Sequence, residues 1–483
     1  MIRPTHLRAL VIAVALGLGT GVATGQPTEL IIRNGTIIAD EGTVRGDLRI
    51  RNGLIDEIGE IGERLAAGSG AREIDADGLL VLPGGIDPHV HLGGNWVDDY
   101  TSGSAAALAG GITTISNFVT LRGDQVAEAM AQATAQVETE AIADVILHPI
   151  IGDAALVTPQ LEALARSGHT SLKVFMVRPS FDRDVPGFLN LLATAGDTGI
   201  LTMLHCEDAA IVSTTAERFI TEGRGALRFY PDARPVLAEL VATQRAVAFS
   251  EATGAPVYLV HLSSEHALRV AEEAQARGLP VYVETRPIYL HLTRERFDGL
   301  DAGLFMGQPP LRTQQDQDAL WDGIARGTIH TIGTDHVAYT REQKLDPTQT
   351  VQRHRAGMNN LQVMRPMLYS DGVRTGRITV EQFVALTATN PAKLFGLYPA
   401  KGTIAVGADA DLVIWDPDET RTIRDEDALS NTGFSIHAGR EVTGWPIVTI
   451  RRGEVVYENG RVTGRAGSGR LAPRRRWKPP ILN

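Results

Sequence analysis

The sequence predicts an α/β protein: a (β/α)8, TIM-like barrel with a small β-sandwich domain built from both chain ends. Three observations carry this expectation. Eight apolar, strand-like runs alternate with Ala/Leu/Glu-rich helical patterns between about residues 84 and 395. Short strands with turn dipeptides crowd residues 28–82. The same texture returns beyond residue 402. A doubly wound open sheet is the alternative, but no Gly-x-Gly-x-x-Gly follows the first barrel strand.

The chain opens with Arg3 and Arg8, an uncharged apolar stretch from Ala9 to about Val22, and small residues Ala23-Thr24-Gly25. This is the layout of a secretory signal peptide and is too short to favour a membrane span. A mature chain starting near Gln26 is expected, exported and periplasmic or secreted, without membrane attachment. An uncleaved apolar extension is the other reading. The net charge of −11 gives a nucleic-acid partner no electrostatic support. The single cysteine, Cys206, excludes an intramolecular disulfide.

From about residue 28, the runs Glu29–Arg33, Gly35–Ala39, Asp47–Arg51, Gly53–Ile58 and Leu79–Leu82 read as strands. Asn34-Gly35 and Asn52-Gly53 read as hairpin turns. The barrel strands expected are Ile86–His91, Ile112–Val119, Val145–Ile151, Ser171–Val177, Ile200–His205, Val257–Leu262, Val281–Thr285 and Ile329–Thr334. Helical patterns lie between them, for example over Gln125–Ala143, Pro235–Ala252 and Glu265–Arg277. Gly402–Ala405, Ala410–Trp415, Ile447–Arg452 and Val455–Asn459 complete the β-sandwich, with Asn459-Gly460 as a turn. The expected division is a leader over 1–25, β-sandwich over 26–83 and 397–464, barrel over 84–396, and a basic Gly/Pro-rich tail over 465–483. The Arg474-Arg475-Arg476 cluster in that tail reads as solvated or as a subunit contact.

Candidate metal ligands fall on the strands. His89 and His91 share one face at the end of the first. Lys173 lies in the fourth, His205 ends the fifth, His261 is near the end of the sixth, and Asp335 closes the eighth. In a barrel these ends converge on one rim, where active sites form. A lone histidine ending a strand is more often a satisfied polar group; six suitable residues at one rim are hard to read as chance. Lysine is the odd member, since an ammonium offers no lone pair. Buried, it should lose its proton. The neutral amine can then capture CO2 as a carbamate whose oxygens bridge two metals. A metal-free ion pair between Lys173 and Asp335 is the alternative.

These residues sit in motifs that resemble the amidohydrolase superfamily, and within it the cyclic amidohydrolases close to dihydropyrimidinase and D-hydantoinase. The matching pieces include Gly85-Ile86-Asp87-Pro88-His89-Val90-His91, Ser171-Leu172-Lys173-Val174-Phe175-Met176, His205-Cys206-Glu207-Asp208, Val260-His261-Leu262-Ser263-Ser264, Pro309-Pro310-Leu311-Arg312 and Gly333-Thr334-Asp335-His336. The resemblance covers nearly the whole mature chain. It implies two divalent metal ions, commonly zinc: His89, His91 and Asp335 on one, His205 and His261 on the other. Carbamylated Lys173 and a hydroxide would bridge them. It also implies a homo-oligomer, a dimer or tetramer. The hydroxide would open a cyclic amide, ureide or imide, with Asp335 as general base and then acid.

The substrate pocket departs from the pattern. Hydantoin-cleaving relatives place a tyrosine five residues after the lysine, where this chain has Arg178. A guanidinium there can stabilise an oxyanion, pair with a substrate carboxylate, or point to solvent. Arg286 replaces a small residue, Gln308 replaces a serine, and a Pro-Asn-Gly loop reads Arg355-Ala356-Gly357, with Asn359 and Asn360 just beyond. Arg178, Arg286, Gln308 and Asn359 are therefore the candidate substrate-binding residues. Two other functions stay open: hydrolysis of a linear N-acyl or N-carbamoyl amino acid or dipeptide on the same site, and a non-catalytic scaffold. The remaining histidines read as surface or structural, His336 as a support for Asp335, and Cys206 as a packed small side chain.

Overall fold

Backbone pairing brings the two chain ends together in one sheet. A computed structural model describes residues 29–39, 42–59, 70–121 and 125–482; the leader expected over 1–25 lies outside them. The N-terminal strands are β1 (Leu30–Ala39), β2 (Gly42–Arg51), β3 (Leu54–Gly59), β4 (Arg72–Asp75) and β5 (Leu80–Pro83). The barrel contains β6 (Gly85–Asp87), β7 (Val90–His91), β8 (Ile112–Thr120), β9 (Asp144–Ile151), β10 (Ser171–Phe175), β11 (Leu201–His205), β12 (Val257–Leu259), β13 (Val281–Thr285), β14 (Thr331–Ile332) and β15 (His336–Val337). The chain returns to the first sheet through β16 (Leu412–Thr422), β17 (Glu441–Arg451), β18 (Glu454–Glu458) and β19 (Arg461–Val462).

In the nine-stranded sheet the order is β19-β18-β17-β16-β5-β1-β2-β3, with β4 beside β1. The join is β5, antiparallel to β16 and parallel to β1. Alternating apolar residues from both ends, among them Leu30, Ile37, Leu48, Val81, Leu412, Ile414 and Ile450, share one core. Asn52-Gly53 and Asn459-Gly460 occupy the turns after β2 and β18, all four residues at positive φ. Asn34-Gly35 does not turn the chain. It forms a bulge inside β1, where the register with β2 slips between Ile32 and Gly35. Asn34 has φ +61° and donates its backbone N–H to Asp47 at 2.8 Å. The same left-handed tolerance that suits a hairpin suits a bulge, so the dipeptide alone cannot distinguish them. Gly402–Ala405, expected as a strand, is irregular, its Gly402 carbonyl held by the Thr389 hydroxyl at 2.7 Å.

The barrel strands run parallel in the order β6-β8-β9-β10-β11-β12-β13-β14. The separate β7–β15 pair closes the ring between first and last. The first and eighth expected strands are thus each broken. Pro88 lacks the N–H to continue one ladder; Asp335, at φ +45°, interrupts the other. Outer helices include 126–140, 185–198, 236–253, 265–276 and 314–325. Among the described residues no helix is long and apolar enough to cross a membrane.

The basic tail is solvated only in part: Arg475, Arg476 and Lys478 are exposed, while Arg474 and Trp477 are half-buried. It packs against the N-terminal ends of the barrel strands, opposite the candidate ligands. Arg474 donates to the carbonyls of Gly168 and Leu147 at 3.0 and 2.9 Å and to Ser171 Oγ at 2.6 Å. The backbone N–H groups of Arg475 and Trp477 reach the carbonyls of Gly396 and Gly199. Arginine side chains satisfy buried carbonyls, which composition cannot reveal.

Buried Lys401 locks the two units together. Its Nζ lies 2.8 Å from Asp144, at the start of β9, and 2.6 and 3.1 Å from Asp411 and Asp409, which precede β16. Lys401→Met strands these carboxylates without their cation, so urea unfolding should show a loss of about 3–5 kcal/mol. A loss under about 1 kcal/mol would mean that the cluster does not hold the units together.

Candidate metal centre

At the C-terminal mouth of the barrel the six expected ligands meet. Lys173 Nζ, in β10, lies 3.4 Å from His89 Nε2. Asp335 Oδ1 lies 3.3 Å from His89 Nε2 and 3.1 Å from His91 Nε2. The His89 and His261 rings stack at 5.4 Å, and His205 meets His261 edge-on at 4.6 Å. His89, His261 and Asp335 each offer a ligand atom within 4.8 Å of the others'.

The orientation of these groups comes from side chains one layer deeper, whose roles the sequence reading missed. Glu284, in β13, accepts the His89 Nδ1–H at 2.7 Å and the His261 backbone N–H at 3.0 Å through one oxygen. Its other oxygen accepts the Tyr258 hydroxyl at 2.9 Å. His89 Nε2 is thereby left to face the cluster. His205 Nε2 is engaged by Glu207 at 2.7 Å, leaving Nδ1 free for a ligand role. Glu207 is in turn paired with Arg234 at 2.6 Å. Its spacing of two residues from His205 was the available signal. Gly333 is required beside Glu284: a Cβ there would stand 2.4 Å from Glu284 Oε2 and 3.0 Å from the His89 Cβ.

His261 and Asp335 both adopt positive φ, +44° and +45°. For residues with side chains this costs on the order of 1–3 kcal/mol each and persists only where surroundings over-determine it. At Asp335 they do. Thr334 Oγ donates to Asp87 at 2.6 Å, and Asn360 Nδ2 reaches the Thr334 carbonyl at 3.2 Å. Arg286 Nε donates to that same carbonyl at 3.1 Å, while its Nη1 lies 3.1 Å from Asp335 Oδ2.

Electrostatics suit a cation. Burial, reinforced by Lys173, lowers the pKa values of His89 and His261 well below the usual imidazole range. Burial also lowers that of His205, against the pull of Glu207. These imidazoles are neutral and carry lone pairs. Burial alone would raise the Asp335 pKa, but Arg286, His89 and His91 outweigh it and hold the carboxyl well below its ordinary range. Burial pushes Lys173 down to about 8, against the opposing pull of Glu284 and Asp335. The walls are aromatic. Phe118 lies 4.5 Å from the His91 ring and Trp96 stacks on His91 at 6.1 Å. Phe175 lies 5.3 Å from the His205 ring.

The candidate substrate residues divide. Arg178 stands at the rim, its guanidinium 4.3 Å from the Phe175 ring centroid. Arg286, expected at the substrate, is buried and given over to Asp335 and Thr334. Its bulk and length fit a support role that a small residue could not fill. Gln308 lies half-buried with its amide 3.3 Å from His354. Asn359 donates to Thr432 at 2.8 Å and to the Phe434 carbonyl, pinning a segment away from the ligands. His336 turns to Asp98 at 2.9 Å and so anchors the chain after Asp335. Cys206 is buried, its pKa raised by burial, as a packed thiol.

Because Glu284 orients two candidate ligands, Glu284→Gln should weaken metal binding about 10–100-fold in competition with a chelator. Unchanged affinity would remove Glu284 from that role.

The amidohydrolase family model matches residues 80–456. The chain is 35% identical to a D-hydantoinase of Ralstonia pickettii, over 93% of this chain and all of the relative. It is 34% identical to a D-phenylhydantoinase of Escherichia coli O9:H4 (strain HS), over 94% and 100%. Among solved structures, dihydropyrimidinase from Brevibacillus agri NCHU1002 superposes with a TM-score of 0.89 at 33% identity, over 94% of this chain and 100% of its own. L-hydantoinase from Arthrobacter aurescens gives 0.84 at 27% identity, over 93% and 100%. With the family pattern spanning both the barrel and the strands that flank it, this chain belongs to the amidohydrolase family.

Proposed function

We propose that this protein is a metal-dependent hydrolase that opens a cyclic amide, ureide or imide ring. The observation that carries the reading is the convergence of His89, His91, Lys173, His205, His261 and Asp335 at one mouth of the barrel. Hydantoinases and a dihydropyrimidinase of matching length support the ring-opening class.

The donor set fits two divalent cations, with zinc favoured by neutral imidazoles and a carboxylate. His89, His91 and Asp335 would hold one, and His205 and His261 the other. Lys173 is buried among imidazoles as a poorly placed ammonium. Conversion to a carbamate by CO2 would turn it into an anionic ligand for both cations. When bound, such a pair lowers the pKa of a shared water and polarises the scissile carbonyl.

The chain's own residues supply the proton traffic. Asp335 starts ionised and takes the proton of the attacking water. It delivers that proton to the ring nitrogen as the C–N bond breaks, so that one water is added and a single open-chain product carries the new carboxylate at one end and the protonated nitrogen at the other. Arg286 fixes Oδ2, which leaves Oδ1 toward His89 and His91. Phe118, Phe175 and Trp96 form walls that limit the water admitted. Export after cleavage near Gln26 and assembly as a homo-oligomer belong to the same reading. The layout of residues 1–25 supports the first; the family resemblance supports the second.

Zinc-loaded protein should open hydantoin or dihydrouracil rings in preference to N-acyl and N-carbamoyl amino acids. The reverse preference would assign a linear amide instead, and no hydrolysis with metal bound would overturn the reading. Asp335→Asn with metal content retained should lower turnover by about 10²–10⁴; normal turnover would remove Asp335 as the proton carrier. Intact-mass measurement under native conditions should show one CO2 added per chain, lost in Lys173→Gln together with metal stoichiometry. Full metal loading in that variant would dismiss the carbamate.

A further inference from the structure

Arg178 is an exposed cation at the rim with no carboxylate opposite it among the described residues. Its guanidinium lies 4.3 Å from the centroid of Phe175, and Lys173 Nζ lies 5.2 Å from the same centroid, so the two are at most about 9.5 Å apart. Phe175 also packs 5.3 Å from the His205 ring, so one aromatic side chain links Arg178 to the candidate centre. The backbone there is pinned on both sides. The Arg178 N–H donates to the Phe175 carbonyl at 3.2 Å, and the Arg178 carbonyl accepts from Phe181 at 2.9 Å. Pro179 follows at the first position of a short helix, Pro179–Arg183.

The buried arginines nearby have partners. Arg234 pairs with Glu207, Arg286 with Asp335, and Arg312 donates to Ser263 and to the Arg234 carbonyl. Among the described residues Arg178 has neither a carboxylate nor a hydrogen-bond acceptor for its guanidinium. The neighbouring ring and backbone partly desolvate its otherwise exposed guanidinium and lower its pKa from the ordinary arginine value. Arg178 is exposed at the rim, and a cation held on an aromatic face beside a reaction centre is an open site for an anion.

We infer that Arg178 is a specificity-determining residue that binds a carboxylate carried by the substrate. The preferred ring is then an anionic cyclic ureide or imide, with its carboxylate one or two carbons from the ring. A ring at the cluster with such an arm spans the interval to the guanidinium, which can receive the carboxylate through two parallel hydrogen bonds. Arg286 cannot serve, because Asp335 already occupies it. This inference rests on the hydrolase reading above.

The test compares hydantoin-5-acetate with hydantoin-5-acetamide, which differ in charge but hardly in shape. Wild-type protein should favour the acetate in kcat/KM by about tenfold or more, equivalent to about 1.4 kcal/mol. Arg178→Gln should bring that ratio close to one, and Arg178→Glu should transfer the preference to a hydantoin with a 5-aminoethyl arm. Equal wild-type rates on acetate and acetamide overturn the inference and leave the hydrolase reading standing. A wild type that opens neither of these nor dihydrouracil overturns both. A tenfold ratio that survives Arg178→Gln removes the carboxylate from Arg178.

Discussion

Glu284 holds the site in register. One buried carboxylate receives the His89 ring, the His261 backbone and the Tyr258 hydroxyl. These partners arrive from the first and sixth barrel strands, so the contact fixes distances across the mouth that no single strand could set. Water is excluded around it, burial pushes its pKa up to about 7 against the pull of Lys173, and hydrogen bonds are stronger in such surroundings. Gly333 permits the approach by presenting no side chain to Glu284 or His89. Ligand geometry therefore depends on an absence in β14's continuation as much as on the ligands themselves.

Charge is allocated at the rim with little redundancy. Arg234 neutralises Glu207, which orients His205. Arg286 holds Asp335 against a left-handed backbone conformation. Both guanidiniums act on the reaction centre through another residue and are removed from the substrate. Arg178 is different because its support is an aromatic face, which contributes attraction without neutralisation. The same residue type thus does two kinds of work, separated only by what lies opposite it.

The two ends of the barrel serve different ends. At the C-terminal mouth the strands break early, at Asp87, Leu259 and Ile332, and the following residues turn side chains inward. At the other end the chain terminus packs against the strand starts, with Arg474 satisfying carbonyls of two segments. Lys401 ties that closed end to the nine-stranded sheet.

Much of this was legible from local pattern. Short apolar runs mark β8, β9, β11 and β13 closely, and strand-end placement was enough to group His89, His91, Lys173, His205, His261 and Asp335. That succeeds because a parallel barrel converts position along a strand into position at a rim. The Asn34-Gly35 bulge, the tail's packing and the fate of Arg286 and Asn359 were not legible. Each depends on which distant group stands opposite: β5 and Asp47 for the bulge, Leu147 and Gly168 for Arg474, Asp335 for Arg286. The sequence by itself determined the barrel and the donors at its mouth, because both follow from the local alternation of strand-like and helical runs and from the position of each donor at a strand end. Only the tertiary structure decided that Arg234 and Arg286 are neutralised and that, among the described residues, Arg178 has no carboxylate opposite it, because ion pairing is set by approach across the fold and not by spacing along the chain.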